Sequence, residues 1–152
     1  GAVMGGLLGG PVVGGLVGLT GGLHRYSMGG MTALGIMTHH SEVKSVACLM
    51  GSGYFTSLSK TLFPSQNPED IEAALAEWDI THALPHLANR PLLLWHGDAD
   101  DVVPPDGTFR LQQSLKNEGL DGNLTCLWEA GVRHRITPTA LDATVSFFRQ
   151  HL

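Results

Sequence analysis

Charge and cysteine are scarce in this chain of 152 residues. Only 15% of the residues are charged, the formal net charge is −5, and there are two cysteines. A lightly charged, acidic chain offers no basic stripe for phosphates, so we expect no nucleic-acid partner. Cys48 and Cys126 lie in separate apolar runs, which favours free buried thiols over a disulfide or a metal site. We predict one cytoplasmic domain that needs neither a metal nor a cofactor.

The first part of the chain has no charged side chain at all. Residues 1–24 lack Asp, Glu, Lys and Arg, and they hold ten of the twenty glycines. Five glycines recur every fourth residue from Gly6 to Gly22, a spacing found in packed membrane helices. However, no basic residue precedes the run, and each glycine disfavours a helix in water by about 1 kcal/mol relative to alanine. We predict an irregular leader over residues 1–25 and no membrane contact, with a membrane anchor as the alternative.

From residue 26 onward the pattern is that of an α/β protein. Three short apolar runs lack the polar alternation of half-exposed strands, which predicts strands covered on both faces of a parallel sheet. These runs are residues 45–50, 91–97 and 123–129. Helical patterns lie beside them at residues 28–40, 105–119 and 137–152. We therefore predict three to four parallel strands flanked by helices.

Two of these helices carry signals for their ends. Gly119 is a C-terminal cap for the helix at 105–119. Thr137 and Pro138 are the N-cap and first residue of the last helix. The apolar face of that helix is predicted to be Leu141, Val145, Phe148 and Leu152.

Residues 51–90 form a longer connection than one crossover helix requires. They contain aromatic residues, prolines and the acidic run "PEDIEAALAEWD". An insertion of this length usually covers a site, so we predict a helical cap or lid. Two plain crossover helices with a loop are the alternative.

A serine, several acids and a histidine occur where strands of this sheet should begin or end. Reactive groups in open parallel sheets gather beyond the carboxyl ends of the strands. Ser27 precedes the first helix, "HGDADDVVP" begins at the end of the second run, and His134 follows the third. The chain order Ser, acid, His is that of α/β-hydrolases. Such a serine needs an imidazole base and a carboxylate to orient that base, and the backbone N–H of Met28 is an oxyanion donor.

Other residues compete for these roles. His82 and His86 are four apart, but Pro85 lies between them and no third ligand follows, which indicates a solvated helix face. His96 lies inside a predicted strand, whereas His134 is in a loop. The candidates for the acid are Asp98, Asp100, Asp101 and Asp106. No metal-binding spacing is present in this aspartate cluster.

Residues 26–152 resemble the C-terminal part of an α/β-hydrolase of the dienelactone-hydrolase and prolyl-oligopeptidase-like branch. The segments "YSMGG", "HGDADDVVP" and "GVRH" carry the resemblance. It implies Ser27 as nucleophile, Asp100 as the acid and His134 as the base. We further predict substrate contacts from Tyr54, Phe63 and Val102.

The resemblance implies hydrolysis of small carboxylic esters through an acyl-enzyme, with a peptidase as the alternative within the branch. Arg25 occupies the position of the first glycine of the family's G-x-S-x-G motif, and residues 1–25 do not resemble the family. A second hypothesis is therefore a catalytically impaired or silent fragment that lacks the family's N-terminal half. If the strand before Ser27 is frayed, residues 45–50 become a sheet edge, and we expect self-association through it.

Overall fold

The structure is a computed structural model that describes residues 25–52, 54, 67, 69–70, 73 and 79–151. For residues 25–28 only the backbone is described. The helices are α1 (Arg25–His39), α2 (Leu84–Leu87), α3 (Asp106–Asn117) and α4 (Pro138–His151). The strands are β1 (Val46–Leu49), β2 (Leu92–Gly97) and β3 (Leu124–Glu129), and a short 3₁₀ helix covers Ile80–His82.

The sheet has the predicted direction and order. All three strands are parallel and lie in the order β1-β2-β3. Leu94 at the centre of β2 pairs with Cys48 on β1 and with Cys126 on β3. Helices connect the strands, so the carboxyl ends of all three strands meet at one edge of the sheet. The predicted α/β class with three parallel strands and flanking helices is confirmed.

Burial differs between the strands. Every residue of β1 and β2 is buried, as the continuous apolar runs predict. The prediction that β3 is also covered is wrong, because Leu127 and Trp128 are 37% and 38% exposed. In the described sheet β3 pairs on one side only, with β2. In the described sheet β1 lies at the other edge, as predicted, and its side chains are buried. Self-association through this edge remains a prediction.

The helix α1 packs tightly on β1, as predicted for a deeply buried helix. Leu34 and Met37 are fully buried and belong to the same apolar cluster as Val46 on β1. At Gly30 a Cβ atom would lie 2.9 Å from the Sγ atom of Cys48 and 3.2 Å from the Cα atom of Gly51. Only glycine therefore allows the first part of α1 to approach the end of β1 this closely.

Arg90 stabilises the C-terminal end of α1. Its guanidinium donates hydrogen bonds to the carbonyls of Met37, His40 and Val43 at 2.5–3.1 Å, and also to that of His86. The last carbonyls of a helix lack partners within the helix and carry its negative dipole end. Arg90 supplies both the donors and the positive charge there.

Replacing Arg90 should destabilise the fold. We expect Arg90→Ala to lower the free energy of unfolding by about 2 kcal/mol, because several carbonyls lose a charged donor. Arg90→Lys should lose less, since an ammonium keeps the charge. Urea unfolding followed by circular dichroism measures the difference. Arg149→Ala, at an exposed arginine, is the matched control and should change the value by about 0.5 kcal/mol or less; an equal effect of Arg90→Ala and this control would contradict the role.

The two later helices have the predicted ends. Gly119 follows α3 with a φ of 68°, and the side chain of Thr137 accepts the Ala140 N–H at 3.1 Å in front of α4. The predicted apolar face of α4 is wrong at Leu141 and Val145, which are 37% and 48% exposed. Phe148 is partly buried against the cluster that contains Phe147, and Leu152 lies outside the described residues. The buried residues of this helix are Ala140, Thr144 and Phe147.

The region predicted as a cap is described only in part. Glu69, Asp70 and Ala73 are helical, and the 3₁₀ helix and α2 follow from residue 80. Most of residues 53–78 and the predicted leader lie outside the described residues. Within the ranges that are described, no helix is long and apolar enough to cross a membrane.

Candidate active site

Two loops that follow β2 and β3 are joined by backbone hydrogen bonds. The Asp98 N–H donates to the Glu129 carbonyl, and the Ala99 N–H donates to the Val132 carbonyl, both at 3.1 Å. The side chain of Asp98 also accepts the Gly131 N–H at 2.6 Å. These bonds extend the β2–β3 pairing past the strand ends. They bring the segment around Asp100 against the segment that carries His134.

Asp100 and His134 form a buried pair at this point. The Nδ1 atom of His134 lies 2.7 Å from the Oδ2 atom of Asp100, and both side chains are at most 2% exposed. The other carboxylate oxygen, Oδ1, accepts the backbone N–H groups of Val102 and Val103 at 2.9 Å each. Two amides thus fix the carboxylate while its second oxygen orients the imidazole. Such a bond places the proton of the neutral imidazole on Nδ1 and leaves Nε2 as a base.

The competing aspartates lie elsewhere. Asp101 is exposed and pairs with Arg133, and the hydrogen bond from Arg133 lowers the pKa of Asp101. Asp98 binds the Gly131 amide, and Asp106 is the first residue of α3. Of the four predicted candidates, Asp100 is the one that contacts His134 through its side chain in the described structure.

The base atom of His134 has no partner among the described residues. Its Nε2 atom is buried and makes no hydrogen bond there. Buried polar atoms are nearly always paired, so an exception calls for an explanation. An atom that must accept a proton from a nucleophile during a reaction is one such explanation.

Ser27 and Met28 lie in the first turn of α1. The backbone is already helical at Arg25, so the prediction that Ser27 precedes the helix is wrong. The side chains of these residues lie outside the description. Met31, one turn later, is 4% exposed and clusters with Val103, with Val102 packed against the pair. The beginning of α1 therefore lies beside the loop that holds Asp100. The positive end of the helix dipole favours negative charge at this turn.

The three predicted substrate contacts are dispersed. Val102 is partly buried beside Met31 and donates its N–H to Asp100. Tyr54 is buried with its hydroxyl 3.0 Å from Ser114 Oγ, and the Arg110 guanidinium lies 4.6 Å above its ring. Tyr54 borders an open cavity of about 380 Å³ between the 3₁₀ helix and α3. Phe63 lies outside the described residues.

A residue that the sequence reasoning set aside lies beside the pair. His96 is fully buried at the end of β2, and its Nε2 atom lies 3.3 Å from Asp100 Oδ2. The sequence could have indicated this role, because His96 stands at the end of a predicted strand in "HGDAD", four residues before Asp100.

The remaining histidines and the cysteines give no metal site. His86 Nδ1 lies 2.9 Å from the Thr38 carbonyl, and His40 Nδ1 lies 3.0 Å from Glu42 Oε1. Over the residues that are described, no three His, Cys, Asp or Glu side chains are grouped to hold a metal ion. Cys48 is buried, Cys126 is partly buried, and both are free thiols.

Both thiols should be slow to react. Burial raises the pKa of Cys48 to about 12 and that of Cys126 to about 11, and the reactive species is the thiolate. We expect Ellman's reagent at pH 8 to modify the native protein slowly, at Cys126 before Cys48, and both at once in urea. Cys126→Ser identifies the faster thiol. Rapid modification of Cys48 in the folded protein would contradict the packing of β1 against α1.

Comparisons with known proteins place this geometry in a wider context. Esterase YjfP of Escherichia coli K12 is 58% identical over 135 residues, which are 83% of this chain and 54% of YjfP. The crystal structure of TT1662 from Thermus thermophilus matches with a TM-score of 0.64 at 21% identity, over 82% of this chain and 51% of that one. The chain thus spans about half the length of either protein.

A second similarity concerns a different class of protein. A family profile described as 5TMR of 5TMR-LYT matches residues 1–58. Sensor histidine kinase BtsS of Escherichia coli K12 is 95% identical over 37 residues, which are 24% of this chain and 7% of BtsS. These matches are short, whereas the match to YjfP covers most of the chain. Over most of its length, then, the chain is similar to esterase YjfP, and its parallel sheet and helices form part of an α/β-hydrolase fold.

Proposed function

We propose that the chain is a serine hydrolase that acts on small carboxylic esters through an acyl-enzyme. Ser27 is the nucleophile, His134 the general base and Asp100 the group that orients the base. The observation that carries the proposal is the buried Asp100–His134 hydrogen bond of 2.7 Å, together with the His134 Nε2 atom, which has no hydrogen-bond partner among the described residues.

The reaction follows from the roles of these groups. The hydroxyl of Ser27 gives its proton to His134 Nε2 as its oxygen attacks the ester carbonyl. The negative charge that develops on the carbonyl oxygen is stabilised by the Met28 N–H at the start of α1. The imidazolium then protonates the leaving alcohol, and a water molecule repeats the sequence to release the acid. The Asp100 carboxylate keeps the imidazole in the tautomer that the attack needs.

Two further observations support the proposal. Ser27 precedes Met31 by four residues, so the two positions share one face of α1, and Met31 packs on the loop of Asp100. One relative, 58% identical over 135 residues, is named an esterase. A small ester is favoured over a peptide because of this relative.

Covalent labelling tests the assignment of the nucleophile. A fluorophosphonate probe should label the protein at Ser27, as located by peptide mass spectrometry, and the label should be absent in Ser27→Ala and His134→Gln. Ser41→Ala, at an exposed serine just beyond α1, is the matched control and should keep the label. Hydrolysis of short p-nitrophenyl esters should follow the same order, and an anilide of the same acid should react more slowly.

The alternative hypothesis of a silent fragment predicts a different result. Such a chain keeps the Asp100–His134 pair but takes no label in any variant. A label at a residue other than Ser27 would contradict the proposed nucleophile while leaving a hydrolase possible.

A second candidate function concerns residues 1–24. The glycine spacing of residues 1–24 and the match of residues 1–58 to the profile described as 5TMR of 5TMR-LYT support a membrane-associated segment at this end. The full chain should then partition into the detergent phase of Triton X-114, and a variant without residues 1–24 should not. Equal partitioning of both forms into the aqueous phase would exclude this function.

A further inference from the structure

His96 is a buried histidine for which the proposed mechanism has no use. Its Nε2 atom lies 3.0 Å from the Val103 carbonyl oxygen and 3.3 Å from Asp100 Oδ2, and its Nδ1 atom lies 2.7 Å from Thr108 Oγ1. The ring of Trp128 lies nearly parallel to it, with the centroids 6.2 Å apart. Every heteroatom of this buried ring therefore has a polar neighbour.

These neighbours decide which nitrogen carries the proton. The Val103 carbonyl and the Asp100 carboxylate are both acceptors, so Nε2 must be the donor. The hydroxyl of Thr108 donates to the Gly51 carbonyl at 2.8 Å, and its oxygen lies 2.7 Å from Nδ1. Loss of solvent lowers the pKa of His96, against the opposing effects of Val103 and Asp100. The two acceptors beside Nε2 place a proton on that nitrogen.

With a proton on His96 Nε2, four hydrogen-bond donors face the Asp100 carboxylate. The Val102 and Val103 amides donate to Oδ1, and His134 Nδ1–H and His96 Nε2–H face Oδ2. His96 acts twice on the same loop, because Val103 bonds to it through the carbonyl and to Asp100 through the amide. A group on the sheet thus fixes a carboxylate that lies in a loop.

We propose that His96 is a positioning residue for Asp100, with its Nε2–H shared between the Val103 carbonyl and the carboxylate oxygen that orients His134. Thr108 on α3 holds the other side of the His96 ring through the contact of its Oγ1 atom with Nδ1. The inference rests on the proposed function for its effect on catalysis, but the hydrogen bonds that it predicts exist with or without turnover.

Nuclear magnetic resonance and labelling kinetics on the full chain test this role. The Nδ1–H proton of His134 is assigned by its loss in His134→Gln. In His96→Phe one donor to Asp100 Oδ2 is lost, so this proton resonance should move. The rate constant of fluorophosphonate labelling should fall at least about tenfold, the loss expected for a hydrogen bond to a charged group, while the binding constant of the probe stays unchanged.

Matched variants separate positioning from packing. His96→Gln keeps an N–H donor near the position of Nε2 and should restore most of the rate, whereas Thr108→Val should move the resonance in the same direction by less. His82→Gln, at an exposed histidine, should change neither readout. Should His96→Phe fail to fold, Thr108→Val and His96→Gln still decide the question.

Two results would overturn the proposal. One is an unmoved His134 resonance in a folded His96→Phe or Thr108→Val protein. The other is a rate in His96→Gln as low as in His96→Phe. A wild-type chain that takes no label contradicts the proposed function instead, and the resonance then tests His96 independently.

Discussion

Asp100→Asn should lower the rate of labelling and ester hydrolysis by about 10⁴-fold, the effect known for the orienting acid of a Ser-His-Asp triad. The Oδ1 atom accepts two backbone amides, so the oxygen of the new amide stays there and its NH₂ group faces His134. The Nδ1 atom of His134 must then accept a hydrogen bond, and its proton moves to Nε2. In that tautomer the imidazole cannot take a proton from Ser27.

Neighbouring aspartates supply the controls for this substitution. Asp101→Asn removes an exposed ion pair with Arg133, and it should change the rate only a few-fold. Labelling rates of the purified variants, measured at one pH and after a check of folding, give the comparison. If Asp101→Asn is the severe change and Asp100→Asn the mild one, the assignment of the acid is wrong.

Gly97→Ala should destabilise the fold by about 3 kcal/mol and separate the two loops of the site. A Cβ atom at Gly97 would lie 2.2 Å from the Val132 carbonyl oxygen and 2.8 Å from its carbon. These are backbone atoms of the loop that leads to His134, so relief of the clash must move that loop. We expect a lower urea midpoint with an unchanged m-value. The labelling rate should fall by at least roughly 10²-fold, the loss expected when a catalytic group is misplaced by about 1 Å.

Gly122→Ala is the matched control for this clash. No atom lies within 4 Å of a Cβ placed at Gly122, so its stability should stay within about 0.5 kcal/mol of the parent. Equal losses of stability at both glycines would show that the contact with Val132 is not the cause, because the reduced freedom of the unfolded chain with alanine by itself stabilises the fold.

The continuous apolar runs predicted β1 and β2 correctly, because in both runs every residue of the strand is buried. The same rule failed for β3, whose residues 124–128 are apolar except for Thr125, because this strand pairs with β2 alone in the described sheet. The face of α4 was missed by one residue: spacing by four fits Leu141 and Val145, but equally fits Ala140 and Thr144. Only the contact with the sheet, made by Phe147 beside Leu93, selects between the two.

The part of the site that follows directly from the ends of the strands could be predicted from the sequence. Chain order placed Asp100 and His134 after neighbouring strands, and the resemblance to the α/β-hydrolases chose between the aspartates. His96 was not predictable as a partner, because its contact with Asp100 depends on how the loop turns back after the strand. Ser27 remains a prediction, since the structure describes only its backbone.

The joined loops have a consequence for how the protein opens. The Asp98 amide donates to the carbonyl of Glu129, the last residue of β3, and the Ala99 amide to that of Val132 in the loop that follows. Neither amide can exchange its hydrogen with solvent unless these segments separate. Because these bonds continue the β2–β3 ladder, we expect both amides to exchange as slowly as those of Leu94 and Trp95. The Asp100–His134 pair would then be disrupted only in the cooperative opening that also separates β2 from β3. Thermal inactivation of the site and melting of the β-structure should accordingly share one midpoint.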